Sequence, residues 1–170
     1  ASAAATVALA RAEGSPARCA AARAAAYLGA AEVTGKASGA LAGGVAAALT
    51  ALAGPDQSGD VQRAALGGLR FIAARDDGAS PSPVLAPYYG DVITALCALL
   101  ASSSGPTKLA AERTLARVLR ADASPDAAVA FLASPAAGAL AKTHLTEANV
   151  RRFGRLPAEE ADEAADFGEP

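Results

Sequence analysis

Apolar residues recur along this chain at intervals of three and four. Leu41, Val45, Leu49 and Leu52 are spaced four, four and three apart, and Ala111, Leu115 and Val118 repeat the pattern, each set marking one stripe of a helix with 3.6 residues per turn. Strands would need runs of β-branched and aromatic residues, whereas Val and Ile are scattered here at helical spacing. The pattern predicts helices over residues 3–12, 16–31, 38–53, 60–75, 84–101, 106–120 and 125–133, with a last short one over 146–154. Punctuation agrees with capping physics. Ser15, Gly105 and Ser124 each precede a proline, which suits the first helical position, and Gly54 with Pro55 follows a helix end.

The helices repeat. Pro106, Lys108, Leu109, Ala110, Ala111 and Arg113 overlie Pro16, Arg18, Cys19, Ala20, Ala21 and Arg23 at a shift of 90 residues, with chemical type conserved. Between these two, Ala64, Ala65 and Leu69 fall under Ala110, Ala111 and Leu115 at a shift of 46, so the second helix of each unit returns after 44 and then 46 residues. The first helices pair as well, with Val45 and Leu49 under Val92 and Leu96 at a shift of 47. A helix pair recurring every forty-odd residues predicts an all-α fold, an α-solenoid of HEAT- or armadillo-like pairs that bury their apolar faces only by stacking. The expected organisation is a solenoid segment over 1–156, with units near 1–35, 36–77 and 84–122, a C-terminal cap over 123–156, and an acidic disordered tail over 157–170. Residues 76–83, with Gly78, Pro81 and Pro83, read as a long exposed loop.

Composition refines this picture. Fifty-one of the 170 residues are alanine, which explains how 52% hydrophobic content coexists with 4% aromatics and no Trp or Met. Alanine favours helix but buries little surface. The solenoid is therefore expected to pack closely and to rely on Tyr27, Phe71, Ile72, Tyr88, Tyr89, Phe131 and Phe153 as interface anchors. Residues 37–54 have the length of a membrane span, but they are mostly Ala and Gly with a single apolar stripe, so a transmembrane reading is rejected. The chain starts with Ala in a helical pattern, as a segment of a longer protein would.

Net charge is −2, yet Glu159, Glu160, Asp162, Glu163, Asp166 and Glu169 put six of the 17 acids in the last dozen residues. What remains is 11 acids against 15 Lys and Arg, a body of about +4 before an acidic tail that cannot bury enough surface to order itself. Arg113, Arg117 and Arg120 lie at i, i+4 and i+7, opposite the Ala111, Leu115 and Val118 stripe. Such a face either meets a carboxylate or phosphate on a partner, with Lys108, Arg63 and Arg70 extending it, or is a solvated surface with local partners in Glu112 and Asp122. A second cluster, Arg151, Arg152 and Arg155, either pairs with the acidic tail or contacts a partner.

No enzymatic constellation is found. His144 is the only histidine, placed by this reading at the start of the last helix. Cys19 and Cys97 are 78 residues apart and match no metal or redox spacing, so they read as small buried hydrophobes in a reducing compartment. Gly39, Gly43, Gly44, Gly67 and Gly68 follow no strand and precede no Walker-type lysine; they are read as sites of close helix contact. Neither a catalytic residue, nor a cofactor, nor a metal, nor a small-molecule substrate is expected.

Two phrases carry a family resemblance. KLAAERTLARVLR at 108–120, followed by HLTEANVRRFGRLPAEEADE at 144–163, resembles the extreme C-terminus of the general-control translational activators, very large HEAT-repeat proteins. The order of a Leu-Ala-Ala-Glu-Arg helix, a short helical stretch, a basic segment, a proline and an acidic end agrees with that family, although Thr107 stands where valine is usual. The resemblance covers about 65 residues from Gly105; the earlier part agrees only as HEAT repeat. It implies a cytoplasmic, non-enzymatic scaffold that engages ribosomes and promotes activation of the kinase of initiation factor 2 alpha, with the kinase contact upstream of this segment and with protein partners. A generic adaptor solenoid of the transport, phosphatase or tubulin-binding kind would share the period but not this ending.

Overall fold

The computed structural model describes residues 14–33, 42–74, 85, 88–121, 124–135 and 137–156. The predicted helix over 3–12, the loop over 76–83 and the tail over 157–170 lie outside them. Among the described residues there are eight helices and no strand: α1 Ser15–Val33, α2 Ala42–Leu52, α3 Gly59–Ala74, α4 Tyr89–Ser102, α5 Gly105–Val118, α6 Pro125–Ala133, α7 Ala139–His144 and α8 Glu147–Phe153. The protein is all-α, with neighbouring helices packed on one another. None of the described helices is long and apolar enough to cross a membrane.

Beyond small shifts at other helix ends, two boundaries and one added helix depart from the sequence reading. The helix expected from residue 84 starts at Tyr89, because Pro87 cannot donate to a helical ladder and the Tyr88 N–H instead closes a turn onto Leu85 O at 2.9 Å. The helix expected to run to Arg120 stops at Val118, for reasons of cap geometry given below. A short helix, α7, lies where none was expected, so His144 closes this helix and does not open the last one. The caps of α6 and α8 follow their sequences: Ser124 Oγ accepts from Ala127 N, and Thr146 Oγ1 accepts from Asn149 N.

Contacts arrange the helices in two rows. α1, α3, α5 and α8 touch in succession, α2, α4 and α7 do the same beside them, and α6 packs on α7 and α8. Two seams, α1 on α3 and α3 on α5, are the most extensive. One continuous core runs through both rows, its largest fully buried side chains being Leu49, Leu52, Leu66, Leu69, Ile72, Leu85, Leu96, Leu99 and Leu115. Leucines therefore supply more of the interior than the expected aromatic anchors. Phe71, Tyr89 and Phe153 are buried, whereas Tyr27 stays 37% exposed and lies edge-on to Phe71 with ring centroids 5.6 Å apart. Tyr89 combines both halves of its chemistry, its hydroxyl donating to Val118 O at 2.9 Å and its ring 5.4 Å from that of Phe131.

Small residues set how near the helices come. At Gly68 of α3 a Cβ would lie 3.0 Å from Leu49 Cδ2 and 3.4 Å from Ala22 O, and at Gly29 of α1 it would lie 2.5 Å from Ile72 Cδ1. Gly68 thus makes the close helix contact that the sequence reading gave it. The tightest approach is at Gly154, the C-cap of α8, where a Cβ would fall 2.0 Å from the backbone oxygen of Ala121. Its φ of −65° is open to any residue, so the glycine is required by space alone.

Gly154→Ala must push α8 off the end of α5 and is expected to cost about 2–4 kcal/mol, while Gly90→Ala, with nothing within 4 Å of its Cβ, should be neutral or slightly stabilising. Urea unfolding followed by circular dichroism separates the two.

Candidate functional site

The basic residues singled out from the sequence belong to the α1, α3, α5 and α8 row. By the repeat read from the sequence, Arg23, Gly67 and Arg113 correspond, as do Tyr27, Phe71 and Arg117; Gly67 and Phe71 are buried. Arg23 and Tyr27 are exposed and Arg113 and Arg117 half-buried. The α5 stripe was expected to be exposed throughout, but flanking helix material covers part of each arginine.

Arg120 is not on that stripe. Leu119 is the C-cap of α5, and Arg120 follows it at φ +55° with its N–H on Arg117 O at 2.9 Å, while Ala121 N–H reaches back to Ala116 O at 2.6 Å. These two bonds form a Schellman ending, whose left-handed position is normally glycine. The chain leaves the helical path at this residue, so the i+7 spacing no longer fixes its direction.

Arg63 and Arg70 do not extend the stripe either, because both reach sideways across the seam to α5. Arg63 Nη1 donates to Thr107 Oγ1 at 3.4 Å, and its Nη2 also pairs with Asp60. Arg70 Nη1 donates to Ala110 O at 3.3 Å and to Thr114 Oγ1 at 3.5 Å. The fully buried Thr114 hydroxyl lies 2.7 Å from Ala110 O and 3.3 Å from Leu66 O, so the side chains of α3 and α5 interlock through backbone carbonyls. One unit earlier, Arg18 Nη1 donates to Gln57 Oε1 at 2.8 Å.

In the C-terminal cluster Arg152 forms a two-pronged pair with Glu112 of α5, at 2.7 and 3.3 Å, and its guanidinium carbon lies 4.7 Å from the Phe153 ring centroid. Arg151 bridges Asp126 at 2.8 Å and Glu147 at 3.0 Å, and both carboxylates raise its pKa further. Both residues therefore have carboxylate partners within the folded body. Arg155 and Lys108 are exposed. Glu112, read as a local partner of the α5 stripe, is 7% exposed and serves instead as the counterion of Arg152. Its burial had a signal: Glu112 lies three residues before Leu115, within about 60° of the packing stripe, while its partner 40 residues on had none.

Burial pushes the Cys97 thiol up to about 11, so it stays protonated at neutral pH and is no nucleophile; Cys19 is half-buried and both are free thiols. Among the described residues no group of three His, Cys, Asp or Glu is placed to hold a metal ion. Comparison with family models, with curated proteins and with solved structures finds no match.

Arg152→Ala leaves a buried carboxylate without its partner and is expected to cost about 1–3 kcal/mol, whereas Arg151→Ala, on exposed partners, should change stability far less. Arg120→Gly removes the strain of a left-handed arginine and should stabilise by about 0.5–1 kcal/mol. Both effects are read from denaturant midpoints at constant slope.

Proposed function

We propose that this chain is part of a HEAT- or armadillo-like α-solenoid acting as a non-catalytic scaffold, and that it serves as the C-terminal end of a translational activator of the general-control kind. In this reading it works in the cytoplasm, contacts ribosomes through the α1, α3 and α5 face, and supports activation of the initiation factor 2 alpha kinase, which is bound by repeats upstream. The supporting observation is the interval of the ties between α3 and α5. Arg63 to Thr107 and Arg70 to Thr114 each span 44 residues, the same period by which the sequence repeats to within two residues. Sequence equivalents of α3 and α5 then sit on adjoining helices, two residues out of register at these ties, as stacking of repeats would have them.

A scaffold contact with ribosomal phosphate or acidic protein predicts that the purified chain co-sediments with ribosomes at about 0.1 M salt and is released as salt rises, since exposed charges are screened over about 10 Å at that concentration. The double variant Arg113→Glu, Arg117→Glu, checked for folding by circular dichroism, should lose most of this binding. If neither form pellets with ribosomes, the ribosome-binding role is overturned.

A further inference from the structure

A cleft of about 320 Å³ opens between α4, α5, α7 and α8. Leu100 and Ala101 of α4 give it an accessible apolar rim, with the buried Cys97 and Phe153 behind it. Its polar lining comes from three other places: Lys108 and Glu112, one turn apart on α5, Asn149 and Arg152 on α8, and His144 at the end of α7. Three helices thus converge hydrogen-bonding groups on one recess floored by α4. None of them is consumed by the seams between α1, α3 and α5.

The charges decide what fits. Glu112 and Arg152 cancel, and Glu112 takes only two of the five N–H donors of that guanidinium. Lys108 then leaves one net positive charge, beside the Asn149 amide and the His144 ring. A single carboxylate or phosphodiester balances that charge, whereas a phosphate dianion exceeds it. Phe153 is only 2% exposed beneath the Arg152 guanidinium, so the cleft offers a nucleic-acid base no open aromatic ring to stack on, while a Glu or Asp next to an apolar residue satisfies the cation and the Leu100 and Ala101 rim together.

We propose that this cleft receives an acidic peptide of a protein partner, its carboxylate on Lys108 and the outward donors of Arg152, and its neighbouring apolar side chain on Leu100 and Ala101. The proposal draws on the scaffold reading only in taking the partner to be a protein. Arg152 is then held ready by Glu112, which fixes its planar guanidinium before the ligand arrives.

The test is an amide-resolved NMR titration of the full chain with acetyl-Phe-Glu-amide, its neutral isostere acetyl-Phe-Gln-amide, and a uridine oligonucleotide. Saturable shifts at Lys108, His144 and Asn149 are expected with the Glu peptide by about 10 mM, a concentration that fills even a millimolar site. Binding of the Gln peptide should be about tenfold weaker, the factor that one charge-assisted hydrogen bond contributes. Lys108→Glu, at an exposed position, should abolish the response and Lys108→Arg should keep it. Absence of saturable shifts at the cleft, an equal response to both peptides, or a stronger response of the same amides to the oligonucleotide overturns the proposal. No ribosome is present, so the outcome is independent of the sedimentation result.

Discussion

Close approach of helices is the constraint on which the rest of this structure depends. With alanine and glycine at so many contact positions, helices meet nearly backbone to backbone, as Gly68 does over Ala22 O and Gly154 against Ala121 O. Such contacts bury little area per residue, and the leucines of α2 to α5 supply the bulk that alanine lacks. Nearness also brings carbonyl oxygens within reach of side chains from the next helix. Thr114 beside Leu66 O and Arg70 on Ala110 O depend on it.

The cations divide by where they sit relative to these seams. Arg63 and Arg70 face the next helix and are spent on internal ties; Arg151 and Arg152 fasten the C-terminal helices to the body through Asp126, Glu147 and Glu112. Arg23 is exposed, Arg113 and Arg117 are half-buried, and Lys108 borders the α4, α5, α7 and α8 cleft. An excess of positive charge in the body therefore says less about partner binding than the side of the helix each charge occupies.

Helix existence was legible because 3.6-residue spacing and proline-marked starts are local signals, and α6 was read to the residue. Its neighbour α7 was not, since six residues with Gly138 as N-cap and no side-chain capping bond carry neither periodicity nor punctuation. The end of α5 was misread for a related reason: an arginine at a left-handed position gives no warning where glycine would have done so. Among the basic residues, helical angle located Arg113 and Arg117 on one face, but it could not show that Arg63 and Arg70 turn toward α5, because that depends on which helix is adjacent. The pairing of Glu112 with Arg152, across 40 residues, is set by tertiary structure alone.

The bonds from α3 to α5 also govern how these helices can slide. An interface of small side chains has shallow ridges and offers little resistance to slippage along the helix axis. Arg63 and Arg70, two turns apart, engage Thr107 and the Ala110–Thr114 turn in matching order, so a shift by one turn, about 5.4 Å, would break both ties together. The two arginines thus act as a detent that favours a single registry of α3 on α5 and resists axial shear between them.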